Sequence, residues 1–284
     1  MDNANLFSSL NQRKKIRAPT VSGIFYPQSP EALTEQIRIL LESAAIELSE
    51  RFSAIICPHG SLEYSGDIAA LAWKSVSRMN IETIVIITPS HHCFENGIFL
   101  PESEYFTIPG CELRVDKKSI KALLHCNSAY VKDDLPHLEE HGIEAILPFA
   151  THLFPDSSLI PIIAACSDVP SLITLFNCLS DILEDRLSRT LFVLSSNMAV
   201  SETDEQTVQL TEQFRSALLS RDITTMEAFS HGEPSFCGAR IIQAYLQSSC
   251  STGKAPVFLG SRTSKLMTEA DEPVVGYASF GFPA

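Results

Sequence analysis

Two strand-like apolar runs that each end in histidine constrain this chain more than any other feature. Ser53-Ala-Ile-Ile-Cys-Pro58 leads into His59, and Thr83-Ile-Val-Ile-Ile-Thr-Pro89 leads, through Ser90, into His91-His92. Between them the residues from Gly66 to Met79 read as a helix. Strand, helix and strand within about 30 residues make a βαβ unit, with parallel strands and a right-handed crossover. Both histidine-bearing ends are then expected at neighbouring positions on the carboxyl edge of one sheet, where open α/β folds hold ligands. Imidazoles converging there suit a metal or a proton-transfer site.

The remaining pattern extends the same architecture. Ser29-Pro30-Glu31 has the composition of a helix start, and Leu33, Ile37, Leu40 and Leu41 share one face of the helix that follows. A loop-rich stretch is expected from Cys93 to Gly110, broken by Pro101, Pro109 and Gly110. Helices are expected over Lys117–Cys126 and Ser171–Glu184, and buried strands over Leu159–Cys166 and Thr190–Ser195. Val257–Leu259 and Val274–Ser279 supply late strands. Alternating strands and helices predict an α/β fold, a central, mostly parallel or mixed sheet flanked by helices. No repeat or linker divides the chain, so residues 16–284 are expected to form a single domain behind a flexible lead-in of residues 1–15.

With 284 residues, 45% of them hydrophobic, the chain can bury a large core. A net charge of −13 argues against a nucleic-acid partner. No apolar run approaches the roughly 20 residues of a membrane span, and the polar N-terminus lacks a signal-peptide core. No membrane partner is expected, and a cytoplasmic location follows. The eight cysteines are scattered and contain no Cys-x-x-Cys pair, so most of them, Cys166 and Cys178 included, read as small buried hydrophobes.

Four further features bear on chemistry. His92 adjoins His91, and because adjacent side chains diverge only one of the two faces a common site. Cys237 precedes the helical run Ala239–Leu246, and a helix N-terminus lowers a thiol pKa and favours ligation or nucleophilic attack; a buried structural cysteine is the other reading. In Glu140-His141-Gly-Ile-Glu144, His141 between carboxylates reads as a base or supporting group, while Glu140 and Glu144 also read as a solvated helix face. His125, His137, His152 and His231 carry no pattern and default to the surface. A cysteine hydrolase pairing Cys237 with His59 or His91 ranks last, because neither an oxyanion hole nor an orienting third group is visible.

Taken in order, several segments resemble the Memo family, which includes the bacterial proteins called AmmeMemoRadiSam system protein B. Arg17-Ala-Pro-Thr-Val-Ser-Gly-Ile-Phe-Tyr-Pro27 is similar to the opening R-x-P-x-V-A-G-x-F-Y-P, and Pro58-His-Gly-Ser-Leu-Glu-Tyr64-Ser-Gly66 to P-H-A-G-Y-x-Y-S-G. Thr88-Pro-Ser90-His-His92 resembles G-P-S-H-H, and Tyr105–Gly110 resembles Y-x-T-P-x-G. Glu140–Glu144 with Leu147-Pro-Phe149 resembles E-H-S-I-E and its L-P-F tail. Phe236-Cys-Gly238 resembles T-C-G, and Val275–Ala278 the closing strand.

The resemblance implies a fold related to LigB-type extradiol dioxygenases, with metal ligands at His59, His91 and Cys237. It also implies a pocket that includes Tyr64, Ser90, Glu140, Glu144 and Asn197. Two imidazoles and a thiolate suit a transition metal, iron first and copper or zinc as alternatives, rather than magnesium or calcium. The expected partner is a small molecule or peptide at that metal, with protein partners unidentified. Two departures matter: where the family carries S-S-D-x-x-H, this chain has Asn197 at the acidic position and Val200 at the histidine. Gly60, Ser61 and Leu62 likewise replace Ala, Gly and Tyr. The implied function is therefore transition-metal binding with iron-dependent, dioxygenase-like redox chemistry, in which His141 or His92 supplies the proton carrier. The alternative is non-enzymatic metal handling or ligand binding.

Overall fold

The computed structural model describes residues 14–46, 50–92, 95–165, 168–231, 236–265 and 272–284. Its strands are β1 (Ile16–Arg17), β2 (Phe52–Cys57), β3 (Thr83–Pro89), β4 (Gly97–Leu100), β5 (Tyr105–Ile108) and β6 (Cys111–Val115). They continue as β7 (Tyr130–Lys132), β8 (Ser158–Ala165), β9 (Thr190–Ser195), β10 (Val200–Ser201), β11 (Val257–Thr263) and β12 (Val274–Pro283). The helices are α1 (Pro30–Ser43), α2 (Leu62–Val76), α3 (Lys117–Cys126), α4 (Leu135–Glu139) and α5 (Leu147–Leu153). They are followed by α6 (Val169–Ile182), α7 (Asp204–Ser220), α8 (Ile223–His231) and α9 (Ala239–Gln247).

Among the described residues the twelve strands join one mixed sheet in the order β1-β5-β6-β8-β3-β9-β2-β12-β10, with β11 on β12 and β4 between β8 and β7. The central five, β6, β8, β3, β9 and β2, are mutually parallel. Helices cover both faces, which is why β3 and β9 are buried along their whole length and read as continuous Val/Ile/Leu runs. The chain thus has the expected α/β architecture.

One expectation about neighbours is corrected. β2 and β3 are parallel, but they are not adjacent: β9 lies between them and pairs with both. His59 and His91 therefore flank the end of a third strand, whose Ser195-Ser196-Asn197 enters the space between them. Loop was expected from Cys93 to Gly110, but β4 and β5 occupy much of it; Cys93 itself lies outside the described residues. Four-residue strands among prolines and glycines offer too little alternation to be recognised.

Local chemistry explains the helices that position the site. Ser29 caps α1 by accepting a hydrogen bond from the Ala32 amide at 3.2 Å, and Leu33, Ile37 and Leu41 are buried on its inner face. Each contributes roughly 1.5–3 kcal/mol of burial. α2 starts at Leu62, earlier than its apolar spacing indicates, because Ser61 is extended and the Leu62 amide donates to the Phe25 carbonyl at 2.8 Å. α1 packs closely on α2 at Gly66, where an added Cβ would sit 2.9 Å from Leu40 Cδ1. Among the described residues no helix is long and apolar enough to cross a membrane.

Two isolated readings change. Cys178 is buried, but it is bonded to Cys126 and ties α6 to the end of α3; Cys166 lies outside the described residues. His137 is 1% exposed rather than on the surface, with its ring edge-on to Phe106 at 5.6 Å. His125 and His152 are exposed, and the His231 side chain lies outside the described residues.

Neither His137 ring nitrogen has a well-formed hydrogen bond, the Phe99 carbonyl being only a poorly placed acceptor. Burial lowers its pKa from 6.5 to about 3. The unfolded chain therefore takes up a proton that the folded one refuses, so stability is full above pH 6.5 and falls as pH drops from there toward 3. At pH 5 the expected loss is about 2 kcal/mol, 1.5 pH units at 1.36 kcal/mol each. Urea unfolding of wild type and His137→Leu at pH 7.5 and 5.0 measures it, and an equal acid loss in both would refute the assignment.

Candidate metal centre

His59 lies two residues past the end of β2 and is fully buried. Its Nδ1 lies 2.7 Å from Ser195 Oγ, and that hydroxyl donates to the Gly142 carbonyl at 3.0 Å. A serine hydroxyl has one proton to give, so it accepts from His59, and the imidazole proton sits on Nδ1. The Nε2 lone pair is left facing inward, 3.5 Å from Cys237 Sγ. The His59 amide donates to Asn197 Oδ1 at 3.0 Å, which locks the backbone of the strand end.

His91 is fixed in the same sense by a different group. Its Nδ1 is 3.0 and 3.1 Å from the two carboxylate oxygens of Glu140, and its amide donates to Oε2 at 2.7 Å. A carboxylate can only accept, so here too Nδ1 carries a proton, and Nε2 points away from Glu140. Burial would push the Glu140 pKa up, but the His91 contacts outweigh it and hold the carboxyl near 2. Burial likewise opposes a charged His91, yet Cys237 and Glu140 raise its pKa.

Glu140 also accepts the Gly142 amide at 2.9 Å and lies 3.4 Å from His141 Nδ1. The segment approaches β3 so closely that a Cβ on Gly142 would fall 2.1 Å from Thr88 Oγ1, so only glycine fits. The His141 ring stacks on His91 at 5.0 Å and meets His59 edge-on at 5.6 Å, with Phe25 covering it at 4.9 Å. Burial and the neighbouring His59 lower its pKa to about 4, so near pH 7 it is a neutral imidazole. Donor atoms of His59, His91 and His141 all lie within 4.8 Å of one another, a set that could hold a metal ion.

Cys237 stands just before α9 and is partly buried. Its sulfur accepts the Asn197 amide at 3.2 Å, and Ser196 Oγ accepts the Gly238 amide at 3.0 Å. Burial disfavours a thiolate, but His59 and His91 beside it outweigh that and lower the pKa.

Beneath this layer Glu144 is fully buried against Arg17, itself 1% exposed. The carboxylate also takes the Tyr26 hydroxyl, the Thr20 amide at 2.9 Å and the Val21 amide at 3.0 Å. Burial pushes its pKa up, but Arg17 and these donors hold it low. Glu144 thereby fastens the loop that places Phe25 over His141. Glu140 and Glu144 are interior hydrogen-bond hubs, not a solvated helix face.

His59, His91, His141, Cys237, Glu140 and Asn197 thus gather at one edge of the sheet. His92 does not join them: it is exposed, its ring 6.5 Å from that of His91 and its amide directed to Ser90 Oγ at 3.4 Å. Tyr64 sits in the first turn of α2, close enough to Tyr277 to influence its hydroxyl. Val200 is 46% exposed on β10. Sequence reasoning missed Ser195 and Phe25. The signal for Ser195 was its place at the end of an apolar strand, the same signal that marked His59.

Three imidazoles and a thiol converge at the carboxyl edge of this α/β sheet, and the three imidazoles could hold a metal ion. The chain belongs to the Memo family: the family model described as Memo-like protein matches residues 17–281. It is 28% identical over 268 residues to a MEMO1 family protein of Methanosarcina mazei, covering 93% of this chain and 98% of that one. A MEMO1 family protein of Thermoplasma acidophilum is 28% identical over 269 residues, with 93% and 97% covered. A third, from Caldivirga maquilingensis, is 26% identical over 284 residues, with 94% and 98% covered.

Proposed function

We propose that the protein binds a transition-metal ion through His59, His91 and Cys237, with His141 beside them. Iron is the first choice, and copper or zinc the alternatives. The observation that carries this reading is the shared orientation of His59 and His91. Each spends Nδ1–H on a buried oxygen acceptor and leaves Nε2 for the Cys237 side of the site, the second-sphere arrangement that supports metal-bound imidazole. Two imidazole nitrogens and a thiolate are donors suited to borderline and soft ions. When bound, iron or copper would supply Lewis acidity and one-electron chemistry for an oxygen-dependent reaction of a small molecule.

The chain's own residues would perform the remaining work. Glu140 and Ser195 orient the two imidazoles, and Phe25 shields His141 from water. His141, neutral near pH 7, can accept a proton from a molecule seated beside His59 and His91. It would stand in for the family histidine that Val200 replaces. A second reading, metal handling or ligand capture without turnover, is favoured by Val200 and by Asn197, which here serves as a backbone anchor for His59 and Cys237.

Elemental analysis of protein purified without added metal is the test, with Cys237→Ala alongside. Bound iron, copper or zinc that falls roughly tenfold or more in the variant is expected. Metal-free protein showing thiol-reagent-sensitive hydrolysis would overturn the reading in favour of a cysteine nucleophile. Oxygen consumption with catecholic compounds separates the catalytic reading from the handling one.

A further inference from the structure

A cavity of about 370 Å³ lies away from the candidate metal centre, between α3 and the ends of β4, β6 and β7. β4 runs antiparallel to β8, so its carboxyl end, which opens into this cavity, points away from the sheet edge that carries His91. One wall is a single face of α3. Lys117, Ile120, Lys121 and Leu124 follow one another at i, i+3, i+4 and i+7, so cationic and apolar side chains alternate along one stripe facing the cavity. Lys15 and Lys132 stand at the other side. Four of the chain's nine lysines thus line one depression on a protein with a net charge of −13.

The acidic groups nearby do not cancel this concentration. Glu102 pairs with Lys15 at 2.6 Å, and Glu104 pairs with Lys117. Asp134 is committed to the Glu102 and Ser103 amides and to the Ser103 hydroxyl. Lys121 and Lys132 have no ion-pair partner among the described residues. The helix that presents Lys121 is held at both ends. Asp116 caps it through the Lys118 and Ser119 amides and pairs with Arg186, and Cys126 anchors its last residue to Cys178 on α6. A fixed wall lowers the ordering cost of binding.

We infer that this cavity binds a small organic anion with an apolar body, of the class of aryl or acyl carboxylates and phosphate monoesters. Lys121 and Lys132 take the anionic group, and Ile120, Leu124 and the Lys117 stem cover the hydrocarbon. The volume falls in the range of small-molecule sites, about 300–1,000 Å³. The inference does not depend on any metal at the other edge of the sheet.

Titration calorimetry of the full chain with 1-naphthyl phosphate, 1-naphthoate and neutral 1-naphthol tests it. Both anions are expected to saturate one site and to weaken as salt screens the exposed lysines. Naphthol is expected to bind at least about tenfold more weakly, roughly 1.4 kcal/mol. Lys121→Glu/Lys132→Glu should weaken the anions at least about tenfold, with an unchanged melting curve, while His91→Ala leaves them unaffected. Which anion binds tighter distinguishes a phosphate from a carboxylate ligand. No saturable binding below about 5 mM, equal affinity for naphthol, or full affinity in the double variant would each overturn the inference.

Discussion

Glu144→Ala is expected to destabilise the protein by roughly 3–5 kcal/mol, the usual cost of stranding one member of a buried ion pair. Arg17 would keep acceptors in the His137, Glu140 and Ala18 carbonyls, at 2.8, 3.1 and 3.1 Å, but none of these neutralises a guanidinium that is 1% exposed. The Thr20 and Val21 amides and the Tyr26 hydroxyl would lose their acceptor as well. Glu144→Gln keeps an acceptor of the same shape and should cost less. Because the folded carboxyl is held below its ordinary value of 4.5, its contribution is present above pH 4.5 and disappears as pH falls through the folded pKa. Urea unfolding at pH 7 and pH 4 reads both effects. A loss below about 1 kcal/mol for the alanine variant would mean that Arg17 is reached by water.

Glu140→Ala should combine a stability loss with a loss of metal affinity. Removing this carboxylate orphans the His91 and Gly142 amides and the His91 ring N–H, at roughly 1–3 kcal/mol for each group that stays buried. His91 is then free to rotate and to exchange its tautomer, for which a 10–100-fold drop in metal affinity is expected. Glu140→Gln separates the two effects: its amide oxygen can still receive one N–H, so folding should recover further than affinity does. Competition with a chromophoric chelator measures the affinity and thermal unfolding the stability. Unchanged affinity in both variants would show that His91 takes no part in binding.

The fold was legible wherever strands are long and buried. β3 and β9 announce themselves as unbroken apolar runs bounded by proline and polar residues, and α1 by its cap and its inner stripe. Strand order was not legible, because β9 enters between β2 and β3 through long-range pairing that leaves no local period. β4, β5 and β7 are too short to show alternation. The Cys126–Cys178 bond has no sequence signature in a scattered set of cysteines. At the site, His59 and His91 could be found because the chain turns at the edge of a sheet right after each strand. His141 was open to two readings because a carboxylate on either side of a histidine describes an exposed helix face and a buried cradle equally well. His137 was misplaced because nothing local distinguishes a histidine packed on Phe106 from one in water.

His59 and Cys237 hang from Ser195, Ser196 and Asn197, whereas His91 and His141 hang from the Glu140–Glu144 segment, itself fastened to Arg17. The two groups meet where Ser195 Oγ donates to the Gly142 carbonyl while accepting from His59, and β9 pairs with both β2 and β3, so the donors share one strand end. A change at the end of β9 would therefore reach His59, Cys237 and, through Gly142, the Glu140–Glu144 segment together.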